Sequence, residues 1–365
     1  MNIKRLKAIA LLPIRRVVRF VHHDVKVMQA RRARAAQGAP SLKASHQGAR
    51  EHTGGVYAIF LIWQRRQVPW YVQNALTALD EAGVNVILVV NHELEGERLR
   101  ELTQQSARVL IRDNSGFDIG GYRDGTLYVQ ETFKPSRVLY LNDSIYYFKD
   151  NLTGLFNAMA QSDADVAAPF ENHEYTYHVQ SFCFSVAEHI FQSTAFLDFW
   201  RGYLPVDSRL WAINEGEIGL SNALAPQVRT KDIFYTPEKL RPFLTGLSLD
   251  ELRHLNVYLP RLSRMEQAEL TAFTQPELVD QFCRLVAVRS QIHTGAFLYQ
   301  RFMGCPLMKR DLLYRLQFSL EEITANLAEV RRDEHFREIL EEMKTKGTGR
   351  DLSIWNYVRF AEGVL

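Results

Sequence analysis

Cysteine is scarce in this chain: Cys183, Cys283 and Cys305 are the only three among 365 residues. They are odd in number, far apart and never in a CxxC pair. That pattern excludes a disulfide framework and a cysteine-held zinc site, and a reducing cytosol is the simplest compartment. Long apolar runs are also missing. Residues 56–63 and 84–90 are apolar, but a membrane span needs ~18–20 such residues. A secretory signal is not present either, because Arg15, Arg16 and Arg19 interrupt the N-terminal apolar stripe and no small-residue cleavage site follows. There is no GxxxxGK[ST] loop and no GxGxxG opening a helix; the first apolar run leads into Gln64-Arg65-Arg66 instead. A P-loop NTPase and a dinucleotide oxidoreductase are thereby disfavoured. Nucleotide-sugar chemistry stays open, since there a metal and a strand-end acid usually hold the diphosphate.

The material that is present suits a globular enzyme. Hydrophobic residues make up 46% and charged residues 24%, enough apolar material for a core. The small net charge of +2 hides an asymmetry: residues 1–50 hold twelve Lys/Arg and one acid, Asp24, which leaves a body with 32 basic and 41 acidic side chains. From Ile3 to Met28 apolar residues recur at spacings of three and four, interrupted near Pro13, with a basic opposite face. Two readings follow, a loosely helical basic leader or a helix lying on anionic lipid. Nucleic acid is a poorer partner, because the leader lacks interleaved aromatics and the body is acidic. Three segments are expected: a leader and linker over 1–52, an α/β domain over 53–245, and a mainly helical region over 246–365 that completes the site.

Within the second segment, apolar runs at 56–63, 84–90, 108–111 and 138–141 predict strands. Helical patterns at 69–82, 93–106 and 119–133 separate them. Strands alternating with helices at this spacing predict an α/β fold, a Rossmann-type mostly parallel sheet flanked by helices. Residues 179–186 alternate like a further strand, 213–224 read as one helix, and 320–344 as another.

The stretch from Arg112 to Phe148 concentrates the polar chemistry. Two strand ends, after Ile111 and after Leu141, lie one helix apart, and open α/β sheets bind ligands at the carboxyl ends of their strands. Asp143, between Asn142 and Ser144, is the leading candidate to hold a hard cation such as Mg²⁺ or Mn²⁺. The plainer reading is a turn in which the three side chains bond their own backbone. Arg123 suits a diphosphate, while Asp118 suits either that pocket or a helix N-terminus. Glu215 and Glu217, two apart on a helix, point in different directions, so one faces the cleft as a general base. His178 and His293 are further polar markers, each equally at home in a structural role. Lys309-Arg310 either meets phosphate or opens a solvated helix.

Taken together, Asn114-x-Gly116-Phe117-Asp118, Tyr122, Gly125 and Leu141-Asn142-Asp143-Ser144 resemble the rhamnan synthesis protein F family of bacterial polysaccharide glycosyltransferases. His178–Phe182, Phe199-Trp200, Glu217–Ser221 and Pro306–Arg310 resemble its later blocks, so the similarity spans roughly residues 55–315. The resemblance implies a GT-A-like fold and transfer of a sugar, L-rhamnose or another deoxyhexose, from a nucleotide-diphosphate donor. The acceptor would be a surface polysaccharide or lipid-linked glycan. It implies that Asn114, Gly116, Asp118, Arg123, Asn142, Asp143 and Ser144 line the donor site, and that His178, Gln180 and Ser181 face the acceptor. Glu217 would be the base of an inverting transfer, with Glu215 second. A divalent metal would sit on Asp143 with a further ligand such as His293 or Asp118. Asp143 is the sole carboxylate of its triplet, a departure from the D-x-D pattern of the wider GT-A class. The chain is then expected in the cytoplasm, at the inner face of the membrane. The alternatives are a catalytically silent scaffold of the same fold and a nucleotidyltransferase.

Overall fold

The computed structural model describes residues 13–37, 42–65, 67–174, 176–331, 334–349 and 353–362. Its centre is an eight-stranded sheet. β1 (Ala44–Gln47), β2 (Val56–Ile62), β3 (Asn85–Val90), β4 (Arg108–Ile111) and β5 (Arg137–Asn142) come first in the chain. β6 (Ile145–Tyr147), β7 (Val166–Ala168), β8 (Glu171–Asn172) and β9 (His178–Val179) follow, then β10 (Cys183–Ala187), β11 (Lys231–Ile233) and β12 (Leu307–Lys309). The order across the sheet is β1-β4-β3-β2-β5-β10-β7-β11. β2, β3, β4 and β5 run parallel, as do β7 and β11, while β10 and the edge strand β1 run antiparallel to their neighbours. This is the mostly parallel α/β architecture that the alternating apolar runs and helices lead one to expect. β2 and β3 read as continuous apolar runs because helices cover both faces of the sheet.

The chain leaves β2 to one side to build β3 and β4, then returns to place β5 on the other. The strand order reverses between β2 and β5, the kind of point at which open α/β sheets form a ligand-binding crevice at the carboxyl ends of their strands. The helix Phe117–Thr132 lies on the sheet beside that crevice. Gly121 and Gly125 let it approach closely: a Cβ on Gly121 would come within 2.2 Å of Leu61 Cδ1, and one on Gly125 within 2.6 Å of Ile59 Cγ2. On the opposite face, helices Pro237–Thr245, Gln275–Ala287, Ala296–Met303 and Leu320–Val330 share one core with β2, β3 and β5. Residues beyond 245 are therefore built into the wall of the sheet.

Several elements differ from the sequence expectation. The stretch read as a linker contains β1, a polar strand whose main chain closes the free edge of β4. Its side chains carry little apolar signal because backbone hydrogen bonds are its main hold, with Ser45 Oγ donating to the Tyr128 hydroxyl at 3.1 Å. The run at 179–186 divides into β9 and β10, and the helix expected over 320–344 breaks into Leu320–Val330 and Phe336–Lys346. Residues 13–37 are helical, and the part of the leader before residue 13 lies outside the described residues. Val18 is buried, His23 Nδ1 lies 2.9 Å from Ser208 Oγ, and Arg34 donates to the carbonyls of Arg201 and Gly202, so the leader rests on its own body.

Replacing Gly125 by Val tests the close helix–sheet approach. The branched Ile59 methyl cannot swing away as a chain end would, so overpacking is expected to cost about 2–3 kcal/mol, read as a lower urea midpoint with an unchanged slope.

Candidate active site

The crevice is stapled by Asp143. Its Oδ2 accepts hydrogen bonds from the Trp63 amide (2.9 Å) and from Gln64 Nε2 (2.6 Å), tying the end of β5 to the end of β2. Burial raises the Asp143 carboxyl above its usual range, while the Trp63 amide and the Arg310 charge oppose that rise. Asn142 makes the local turn, its Oδ1 accepting from the Ser144 amide at 3.0 Å and from Ser144 Oγ at 2.6 Å. It also does more than turn the chain, because its Nδ2 donates to Asp118 Oδ2 at 2.7 Å. The strand end and the start of the neighbouring helix thus share one polar cluster.

The loop before that helix is shaped by two left-handed residues, Gly116 (φ +75°) and Phe117 (φ +51°). Glycine takes this conformation freely, whereas a bulky residue held there is strained, a feature that clusters at functional sites. Gly116 donates its amide to Asp207 Oδ1 at 2.7 Å. Arg112, 1% exposed, underpins the loop: Nε donates to Asp124 Oδ2 (2.7 Å), Nη1 to Asn91 Oδ1 (2.8 Å) and Nη2 to the Ser115 carbonyl (2.8 Å). Arg123, expected to face a diphosphate, instead donates to the other oxygen of Asp124 at 2.6 Å and is buried. Two guanidinium groups sharing one carboxylate form an interior brace, which removes Arg123 from the donor pocket. Asn114 is exposed on the loop, with its Oδ1 3.4 Å from Asn91 Nδ2.

On the other side of the crevice, His178 is buried, with Nδ1 2.9 Å from the Thr176 carbonyl and Nε2 3.8 Å from Glu217 Oε2. Ser181 accepts from the Tyr122 hydroxyl through its carbonyl (2.9 Å), and Gln180 Oε1 accepts from Ser290 Oγ (3.3 Å). The segment read as one helix over 213–224 begins as a π-helical stretch, Ala212–Ile218, and continues as Gly219–Leu224. Such widened turns are frequent at functional sites. Glu217 and Ser181 line a cavity of about 130 Å³. Glu215 instead lines a separate cavity, of about 640 Å³, against leader residues Arg31 and Arg34. The two glutamates diverge, and Glu215 faces away from the crevice.

β12 completes the wall by pairing with β6, Lys309 opposite Ile145. Lys309 Nζ donates to Ser144 Oγ at 3.2 Å and sits 4.4 Å from the centre of the Phe182 ring. Arg310 turns the other way: it donates to the Asp143 carbonyl and, through Nε, to Glu342 Oε1 at 2.8 Å. Of the two residues expected at phosphate, Arg310 is thus a brace. Sequence patterning gave no sign of Trp63, Gln64 or Asp311 as site neighbours, since each acts only through a contact distant in the chain.

His293 does not join Asp143 as a metal ligand. Its Nδ1 lies 2.9 Å from Ser290 Oγ and its Nε2 3.0 Å from Asp311 Oδ1, so both ring nitrogens are engaged. Asp311 is half-buried, yet the charge and hydrogen bond of His293, with Lys309 and Arg315 nearby, hold its carboxyl well below the usual range. Among the described residues, no three His, Cys, Asp or Glu side chains stand close enough to share a cation. The donor set therefore does not fit a divalent ion held by Asp143 with His293.

The comparisons with known proteins bear on this same region. Residues 86–238 match the model of the RgpF family, rhamnan synthesis protein F. The RgpF-like stretch is shorter than the 55–315 expected. It holds the loop, Asn142–Ser144 and Glu217, and stops before Lys309. An uncharacterized protein of Sinorhizobium fredii, y4gN, is 26% identical over 212 residues, covering 56% of this chain and 55% of y4gN. The chain thus spans about half the length of the curated relative it matches. Among solved structures it is similar to GlyE, a glycosyltransferase of Streptococcus pneumoniae (10% identity, TM-score 0.31, 63% of each chain). It is also similar to residues 1–349 of S. aureus TarS in complex with UDP-GlcNAc (9% identity, TM-score 0.34, 85% of this chain and 88% of that one). Likeness at that level assigns no role to any residue.

Burial lifts the Asp118 carboxyl from its ordinary 3.8 to about 7, and the charges of Asp143 and Glu217 add to the rise against Lys309. The folded protein then holds a proton that the unfolded chain releases, so stability is full below the ordinary carboxyl value and is lost as pH rises to about 7. Asp118→Asn removes this dependence. Its melting temperature relative to wild type is expected to climb between about pH 4 and 7 and level off above, in a series of melts across that range.

Proposed function

We propose that this chain is a nucleotide-sugar-dependent glycosyltransferase of bacterial polysaccharide synthesis. The observation that carries the proposal is the convergence of Asn142, Asp143, Asp118, Lys309 and Glu217 at the carboxyl ends of β2 and β5. The RgpF match over the residues that hold most of this cluster supports it, and UDP-GlcNAc bound to TarS offers the donor class as a model.

In this reading the donor diphosphate lies in the crevice, beside Asn142, Ser144 and the loop at Asn114–Asp118. Glu217, with His178 behind it, takes the proton from an acceptor hydroxyl as that oxygen attacks the anomeric carbon. The bond from that carbon to the diphosphate oxygen breaks, and the nucleoside diphosphate leaves with the electron pair. One attack from the face opposite the leaving group inverts the centre. Donors carrying L-rhamnose or another deoxyhexose are the first to try, with a lipid-linked glycan as acceptor.

The leader supplies a route to such an acceptor. Ile14, Val17, Phe20, Val21 and Met28 are exposed along the helix while Val18 is buried beneath it, and Arg15, Arg16 and Arg19 lie among them. An apolar face with interspersed arginines suits the anionic surface of the inner leaflet.

Two measurements test these readings. Purified protein is screened with nucleoside-diphosphate sugars by melting temperature and released product. One donor should stabilise it by about 2.7 kcal/mol at 100 times its dissociation constant and release nucleoside diphosphate on transfer. Glu217→Gln should slow that transfer ~10²–10⁴-fold. Pyrophosphate release would mean nucleotidyl transfer, and no response to any donor would favour a scaffold. Separately, the protein should sediment with vesicles containing anionic lipid and not with neutral ones, and Arg15→Ser with Arg16→Ser and Arg19→Ser should abolish the difference.

A further inference from the structure

We infer that the ammonium of Lys309 does the work of a metal ion at this site, binding the donor diphosphate directly. The inference rests on the transferase reading and concerns how its diphosphate is held.

Lys309 arrives from β12, outside the RgpF-matched stretch, and its Nζ reaches Ser144 Oγ beside the Asp143 strand end. An ammonium carries three N–H donors, and Ser144 takes one. The face of Phe182 at 4.4 Å offers attraction without a hydrogen bond. Among the described residues, no carboxylate pairs with Nζ, although Asp311, Glu217 and Asp118 are near enough to favour its charge. Burial acts the other way, with Arg209, and lowers the amine below its usual range. A half-buried cation without a contacting anion is costly to hold unless something supplies that anion.

The residues expected to hold a metal are already engaged, and the site has what a diphosphate would want. Asp143 Oδ2 already holds two N–H groups, His293 is engaged at both nitrogens, and a second cation beside Lys309 would be repelled. A diphosphate at the Asn142–Ser144 end brings the missing negative charge to the two spare N–H donors of Lys309. The charge developing on it as the glycosyl bond breaks is the charge that a fixed ammonium stabilises most. The neutral form of Asp118 near pH 7 lessens the repulsion that three neighbouring carboxylates would otherwise exert.

The test is titration calorimetry of the full chain with UDP, dTDP and GDP, in excess EDTA and again with Mn²⁺. One of these is expected to bind equally well in both. Lys309→Met should weaken it ~10–100-fold, the span of a charged hydrogen bond, and Lys309→Arg should restore most of the loss. The wild-type comparison needs no variant to fold. Binding that requires Mn²⁺, or that Lys309→Met leaves unchanged in a folded protein, would overturn the inference and leave the transferase reading standing. No binding of any diphosphate under either condition would overturn both.

Discussion

A buried ion pair, Arg112 with Asp124, sets the geometry from which the rest of the crevice follows. Arg112 leaves the end of β4 and holds the end of β3 through Asn91, the loop through Ser115 and the helix through Asp124. Four pieces of chain meet on one guanidinium. Burying such a pair costs desolvation, and removing one partner typically costs ~3–5 kcal/mol because a lone charge remains inside. What the pair supplies is position. With the loop fixed at Ser115, Gly116 and Phe117 are held left-handed and Asp118 is delivered to Asn142.

The same economy of placement applies across the crevice. Asp143 is the residue most easily read as a ligand, yet the structure gives its carboxylate a mechanical task between β2 and β5. Arg123 and Arg310 likewise turn inward to Asp124 and Glu342. Among the described residues, Asp118, Glu217 and Lys309 act on one another there, with Asp311 and Arg209 near Lys309. Electrostatics within a protected site are stronger than in water, so these charges shift one another's protonation.

Much of the fold was legible in the chain. Continuous apolar runs such as 84–90 can only be strands covered on both faces, and helix patterns between them imply parallel neighbours. Asn142 and Asp143 were legible as candidates because polar residues at the end of a buried strand are conspicuous, and Asp118 because it opens the helix after a glycine-punctuated loop. The edge strand β1 was not, since Ala-Ser-His-Gln has no pattern and pairs through its backbone. Lys309 was legible as a phosphate candidate beside Arg310, but not its place; its partner Ser144 is 165 positions away, and no local rule spans that distance. Arg123 misled for the opposite reason. Its guanidinium suited a diphosphate, but the adjacent Asp124 captured it.

The short segment from Pro205 to Ser208 serves two tenants. Pro205 lies where a side chain on Gly116 would go, and Asp207 caps the Gly116 amide. On its other side the same segment receives Lys26 and His23 from the leader. Substitutions there cannot be sorted into those that loosen the leader and those that disturb the crevice, because the two share a hinge post. A library screened for loss of either property would find both lost together at these positions, and separable only at residues on either side.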